Sequence, residues 1–168
     1  MPEVKWRRSS LRLPEYDYAD FGAVFVTICT HHRQALFGTV TRGEVSLSPP
    51  GIAVQNAWNA LPSRFAHIEL DEFIIMPDHL HGILLTGTSQ SSQTRPVMLG
   101  DVINAFKNMV IAAWRYGVRD EDWPRYHDHL WQRAFYDHVI SDERDLNAIR
   151  EYILGNPVRW EQNRRGYM

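Results

Sequence analysis

The chain has 168 residues, of which 44% are hydrophobic, and its formal net charge is −2 at pH 7. This length can bury one sizeable core without disulfides or structural metal, so we expect a single domain over residues 1–168. Cys29 is the one cysteine, which excludes a disulfide partner and a multi-cysteine zinc site. Neither a membrane-spanning stretch nor a signal peptide is recognisable, and we therefore expect a cytoplasmic protein.

The charge is unevenly distributed along the chain. A net negative charge gives no bulk electrostatic reason to expect a nucleic-acid partner. Basic residues nevertheless gather in an N-terminal arm, residues 1–20, and near the C-terminus: Lys5, Arg7, Arg8, Arg12, Arg159, Arg164 and Arg165. Two basic ends could frame a phosphate-binding surface or simply keep the ends solvated, and charge alone favours the second interpretation.

The first third of the chain contains a strand, a hairpin and a helix. The β-branched and aromatic run over residues 23–30 predicts a central strand, and residues 36–47, with Gly43 midway, predict a hairpin. After Pro50, apolar residues recur at helical spacing until Pro62, which is expected to end this amphipathic helix.

The middle third begins with two strands that are close enough in sequence to pair antiparallel. These strands are predicted over residues 68–76 and 81–85. The polar, aperiodic stretch at residues 86–97 predicts a flexible loop. A second amphipathic helix follows, with Asp101 near its start and Gly117 as its expected terminator.

The last third adds a strand over residues 131–140 and a helix that is expected to begin at the N-cap Ser141 and to end at Pro157. The resulting order of strands and helices is typical of an α+β, ferredoxin-like (RRM-like) antiparallel sheet with helices on one side and an additional C-terminal helix. Such a fold serves many functions, so function has to be inferred from the site.

The segment from Met76 to Gly82 contains two histidines separated by one residue. On a strand, His79 and His81 point to the same face while Leu80 points into the core. Two imidazoles that project together can ligate one divalent cation, which would polarise a phosphate. The chain has eight histidines, so the pair also fits an ordinary polar sheet face.

Tyr152 has the most suggestive context of the seven tyrosines. It lies on the flank of the apolar stripe of the last helix, where its hydroxyl could reach a groove. Asn156 lies one turn later on the same flank, so a nucleophile and a neutral metal ligand could meet there. The alternative is that Tyr152 is an amphipathic edge residue and Asn156 a helix cap, and the residues alone favour it.

Six motifs in chain order resemble those of single-tyrosine HUH transposases, particularly the REP-associated tyrosine transposases. These motifs cover nearly the whole chain and occupy residues 12–18, 24–30, 36–38, 75–82, 131–140 and 149–160. The resemblance implies cleavage and transfer of single-stranded DNA through a 5′-phosphotyrosine, and a nucleoid-associated location. It also implies a Mg²⁺ or Mn²⁺ cofactor, recognition of a DNA hairpin with a short single-stranded flank, and a monomer or a homodimer.

The resemblance also assigns roles to individual residues. It implies Tyr152 as nucleophile and His79, His81 and Asn156 as metal ligands. The family more often has asparagine where this chain has Asp78, and an added carboxylate there would favour a harder or more tightly bound ion.

Other residues are expected to support the site or to contact DNA. Asp78 and His138 are candidates for supporting the ligands from behind, although His138 also fits a hydrogen-bonding core residue. Candidates for DNA backbone contacts are Arg7, Arg8, Arg12 and Lys107. Four tryptophans fit apolar stripes and are expected to be packing residues: Trp58, Trp114, Trp131 and Trp160.

Two rival functions remain open on the sequence. The histidines could activate water in a metal-dependent phosphodiesterase in which Tyr152 is structural. Alternatively, the chain could be a non-catalytic nucleic-acid-binding module, because ferredoxin-like sheets also serve as binding platforms. A covalent protein–DNA adduct distinguishes the transferase from both rivals.

Overall fold

The computed structural model describes residues 7–8, 22–86, 98–126 and 128–165, with the backbone alone for residues 7–8 and 164–165. Five strands form the main sheet in the order β1-β7-β2-β6-β5. Their bounds are β1 Arg7–Arg8, β2 Ala23–Cys29, β5 Ile68–Met76, β6 His79–Thr86 and β7 Tyr136–Val139. A separate hairpin consists of β3 Gly38–Thr41 and β4 Glu44–Leu47, as the sequence predicted. Most of the expected flexible loop, 87–97, lies outside the described residues.

The helices are α1 Pro49–Asn59, α2 Leu61–Arg64, α3 Leu99–Asp120, α4 Glu143–Leu154 and α5 Asn156–Arg165. Strand β2 lies between β6 and β7, and all neighbouring strands of the main sheet run antiparallel. Strands β2, β5, β6 and β7, with α1 and α3 in between, therefore have the ferredoxin-like arrangement that the sequence predicted.

Helices cover both faces of the sheet, so β2 and most of β6 are buried on both sides. Val26 and Leu80 belong to the larger core cluster, which includes residues of α1 and α3. On the opposite face, Phe25 and Ile83 pack against Ile149 and Ile153 of α4. Alternation along the strands thus directs Leu80 to the larger core and its histidine neighbours to the face that carries α4.

The strand that we expected over residues 131–140 is shorter, with only residues 136–139 in β7. Trp131 instead forms an isolated bridge with Thr30. Gly117 does not end α3, which continues to Asp120. A Cβ at Gly117 would lie 2.1 Å from Cδ2 of Trp123, so this glycine permits close packing and is not a helix terminator.

We expected Pro62 and Pro157 to end helices, but each lies in the first turn of the helix that follows. Pro62 lies in the first turn of α2, and Pro157 is the second residue of α5. Proline is tolerated there because the first-turn N–H groups have no partner within the helix. The N-cap of α4 is Asp142, which accepts a hydrogen bond from the Asp145 N–H at 2.8 Å, and not Ser141.

Within the described part of the chain, none of the helices combines the length and the apolar character that crossing a membrane would require.

Candidate active site

The two histidines of β6 point to the same face of the sheet, as the sequence predicted. Their Nε2 atoms lie 3.0 Å apart, and the side chains are buried. His79 donates from Nδ1 to Oδ1 of Asp78 at 2.5 Å, and the other carboxylate oxygen accepts from Nε of Arg33 at 3.0 Å. On His81, Nδ1 lies 2.8 Å from Oγ1 of Thr27, its cross-strand neighbour on β2. Each imidazole is therefore held at Nδ1 and directs Nε2 towards the other.

Burial favours the neutral form of both imidazoles. Desolvation lowers the pKa of His79, and hydrogen bonding to Asp78 opposes this effect. The pKa of His81 lies well below its usual range because the ring is desolvated and lies beside His79 and Arg33. A neutral imidazole has a free lone pair, which is the form that ligates metal ions.

Tyr152 of α4 lies beside this pair. Its ring meets the ring of His81 edge to face at a centroid distance of 5.3 Å, and Phe25 at 6.0 Å. Phe25 also stacks on His81 at 5.3 Å. The guanidinium carbon of Arg159 lies 4.9 Å above the tyrosine ring. An apolar residue of β2 thus holds both the tyrosine and the histidine, while a cation covers the outer face of the tyrosine ring.

Charged contacts fix α4 on the sheet. Arg150 donates from Nε and Nη2 to the two carboxylate oxygens of Asp71 on β5, at 2.7 and 2.5 Å. This pairing lowers the pKa of Asp71. At the start of the helix, His138 of β7 lies 3.0 Å from the carboxylate of Asp145. This contact of His138 therefore connects β7 to α4, and it is made to Asp145 rather than to His79 or His81.

Asn156 reaches the same site from the start of α5. Helix α4 ends at Leu154, and Gly155 forms its C-cap. Asn156 is buried and makes a side-chain hydrogen bond to His79. From the sequence we expected Tyr152 and Asn156 to lie on one continuous helix. In the structure the chain breaks between α4 and α5, and the amide of Asn156 meets the imidazole of His79 from the start of α5.

These residues share one cavity of about 450 Å³. It is lined by Thr27, Cys29, Arg33, His79, His81, Tyr136, Tyr152, Asn156, Arg159, Trp160 and Asn163. The sequence interpretation missed Arg33, Thr27 and Tyr136, for which it offered no local signal. Trp160 was expected to be a core residue and instead lies on the cavity wall, because α5 continues beyond Pro157.

The expected DNA contacts lie elsewhere or outside the described residues. Arg7 and Arg8 form β1, which pairs with β7 at the sheet edge, and Arg12 lies outside the described residues. Lys107 of α3 is buried and donates to the carbonyls of Gln132 and Arg133 at 2.8 and 3.3 Å. Burial lowers the pKa of Lys107 to about 8. Lys107 lines a second cavity of about 520 Å³.

Sequence and structure comparisons identify relatives of this chain. No protein-family model matches. An uncharacterized protein of Haemophilus influenzae is 33% identical, over 93% of this chain and 91% of the relative. A second protein of that organism, assigned as a REP-associated tyrosine transposase, is 28% identical over 51% of this chain and 47% of its own length.

Two solved structures share the fold. A REP-associated tyrosine transposase bound to a REP hairpin aligns with a TM-score of 0.61 and 18% identity, covering 89% of this chain and 74% of that one. A protein of Deinococcus radiodurans assigned as a transposase aligns with a TM-score of 0.51 and 16% identity, covering 78% and 87%. The chain is thus similar in sequence to a REP-associated tyrosine transposase over 51% of its length, and it shares the fold of a solved protein of that kind.

Proposed function

We propose that this protein cleaves and rejoins single-stranded DNA through a covalent bond between Tyr152 and a 5′-phosphate. The observation that carries the proposal is the convergence of Tyr152, His79, His81 and Asn156 on one cavity. A phenol beside two imidazoles and an amide can supply a nucleophile and metal ligands for phosphoryl transfer.

A divalent cation fits the donor set. Within residues 22–86, 98–126 and 128–165, no three His, Cys, Asp or Glu side chains converge as a metal site. The donors that we propose are the two imidazoles and the Asn156 amide, which is hydrogen-bonded to His79. The two Nε2 atoms lie 3.0 Å apart, close enough for both imidazoles to hold one ion. When bound there, such an ion, Mg²⁺ or Mn²⁺, would supply charge that polarises a phosphate.

The protein residues then perform the remaining tasks. The phenol oxygen of Tyr152 attacks phosphorus and loses its proton as the new P–O bond forms. The bond to the 3′-oxygen breaks, and that oxygen takes up a proton and leaves as a free hydroxyl. Because the tyrosyl ester keeps the energy of the phosphodiester, another 3′-hydroxyl can reverse the step on a new strand without ATP. Arg159, whose guanidinium carbon lies 4.9 Å from the centre of the tyrosine ring, adds positive charge to the site.

The substrate that we propose is a DNA hairpin with a short single-stranded flank, since the related transposase of known structure is bound to a REP hairpin. We propose Arg7, Arg8 and Arg12 as its backbone contacts; Lys107 is not among them, because it is buried and donates to the carbonyls of Gln132 and Arg133. Each phosphate contact that is lost should make the dependence of log Kd on log salt shallower by about one unit. Substituting each residue by methionine and measuring hairpin binding over a salt series tests these contacts.

The decisive experiment is a denaturing gel of protein incubated with labelled hairpin oligonucleotides and Mn²⁺. We expect a protein-linked DNA band in the wild type and none in Tyr152→Phe. Tyr116→Phe, at an exposed tyrosine of α3, is the matched control and should keep the band. Cleavage that persists in Tyr152→Phe without an adduct would instead establish hydrolysis by water, and binding without cleavage in the wild type would indicate a binding module.

A further inference from the structure

Trp160 has an unusual position for a tryptophan. Its side chain is half-buried, and it belongs to neither of the two apolar core clusters found among the described residues. Its ring instead forms part of the cavity wall, with its centroid 5.8 Å from that of His79 and the two planes inclined by 37°. Because the indole forms part of the cavity wall, it can contact a ligand bound in the cavity.

The helix that carries Trp160 is held firmly at this position. The carboxylate of Glu161, the next residue, accepts hydrogen bonds from the N–H groups of Arg42 and Gly43 in the β3–β4 turn, both at 2.8 Å. Val158 packs against the same turn, where a Cβ at Gly43 would lie 3.0 Å from Cγ2 of the valine. The indole is therefore a preorganised surface, which reduces the entropy cost of ligand binding.

The other groups of the cavity match one nucleotide. The polar end contains the histidine pair and Asn156, with Arg33 and Arg159 as nearby cations, and suits a phosphate. The indole of Trp160 lies next to the imidazole of His79, with 5.8 Å between the ring centroids. Its flat, apolar face suits a base. A phosphate at the histidines thus leaves an adjacent base within reach of Trp160.

We propose that Trp160 is a stacking platform for the base of a nucleotide next to the reacting phosphate. The proposal rests on the proposed function, because it assumes that the cavity takes single-stranded DNA. Stacking on an indole accepts any base, since every base has a π face. Trp160 therefore contributes affinity and positioning, and sequence selection falls to other contacts.

The test measures binding without chemistry, in a Tyr152→Phe background. The probes are a fluorescent hairpin oligonucleotide with four random nucleotides on each flank, and eight versions with an abasic nucleotide at one flanking position each. Trp160→Leu keeps apolar bulk but cannot stack, Trp160→Phe keeps a smaller ring, and Gln162→Ala changes an exposed neighbour on the same helix. Melting temperatures establish that each variant is folded.

We expect Trp160→Leu to weaken binding about 5- to 100-fold, Trp160→Phe to weaken it less, and Gln162→Ala to leave it unchanged. At one flanking position, the abasic nucleotide should weaken binding by the parent protein but have no further effect on Trp160→Leu. Additive effects at all eight positions, or no detectable binding to any probe at low ionic strength, would overturn the proposal.

The same variants separate this proposal from the proposed function. If the base coupling is found but Tyr152 forms no adduct in the otherwise wild-type protein, the stacking role stands and the covalent chemistry fails. If the adduct forms and no flanking position shows coupling, the covalent chemistry stands and the stacking role fails.

Discussion

The phenol ring of Tyr152 and the imidazole of His81 meet edge to face, with their centroids 5.3 Å apart. The two residues come from different elements, α4 and β6, and Phe25 of β2, the strand next to β6, contacts both rings. The distance between the proposed nucleophile and the proposed metal ligands is thus determined by how α4 packs on the sheet. Changes that loosen this packing should reduce activity without altering any reacting group.

Metal binding should be visible as thermal stabilisation. A ligand at 100 times its Kd stabilises the folded state by about 2.7 kcal/mol, which raises the Tm of a chain of this size by roughly 5–10 °C. We expect Mn²⁺ to produce such a shift, EDTA to reverse it, and His79→Ala or His81→Ala to abolish it. His129→Ala, at an exposed histidine, should retain the shift. An undiminished shift in the double histidine variant would contradict this ligand assignment.

The ion pair between Asp71 and Arg150 should contribute to stability in a pH-dependent way. Arg150 lowers the pKa of Asp71, so the folded protein holds the carboxylate charged where the unfolded chain begins to protonate it. The contribution is complete above the unfolded value of about 3.8 and is lost as pH falls through the lower, folded value. We expect Asp71→Asn to reduce Tm by a few degrees at pH 7 and to match the wild type in strong acid.

The same substitution should reduce adduct formation at neutral pH, because α4 loses its bidentate link to β5. Glu151→Gln, at an exposed position of α4, is the control for charge on the helix. Equal loss of adduct in both variants would point to electrostatics rather than to the anchor.

The β3–β4 turn should act on the site through α5. Glu161→Ala removes the acceptor of two backbone N–H groups, and α5, with Asn156 at its start, should become more mobile. We expect faster hydrogen exchange in α5 and several-fold less adduct. Gln162→Ala should leave both unchanged, and a Glu161→Ala variant with normal exchange but low adduct would imply a direct role for the carboxylate.

Lys107 should make stability depend on alkaline pH. Burial lowers its pKa from 10.5 to about 8, so the folded protein releases this proton before the unfolded chain does. Between about pH 8 and 10.5 the unfolded state holds more protons, and stability therefore increases with pH in this window. The urea midpoint of the wild type should rise relative to Lys107→Met between pH 7 and 10. Lys5→Met, at the other lysine of the chain, should show no such difference; a constant difference between wild type and Lys107→Met would contradict the lowered pKa.

The sequence by itself determined the order of elements and the orientation of the histidines. Period-two alternation must direct His79 and His81 to one face and Leu80 to the other, whatever surrounds the strand. The ferredoxin-like order followed from the same local patterns, and the resemblance to REP-associated tyrosine transposases came from motifs spread along the chain. Local rules failed where neighbours decide the outcome: Pro62 and Pro157 begin helices, and Gly117 lies inside one because Trp123 packs against it.

Only the tertiary structure decided which side chains share the cavity. Arg33 supports the histidines through Asp78, and Trp160 reaches the cavity because a hairpin distant in sequence holds α5 through Glu161. These contacts join residues far apart along the chain, and their strength comes from burial and charge that exist only after folding. A sequence pattern reports the preferences of each segment, whereas the cavity depends on how separate segments pack together.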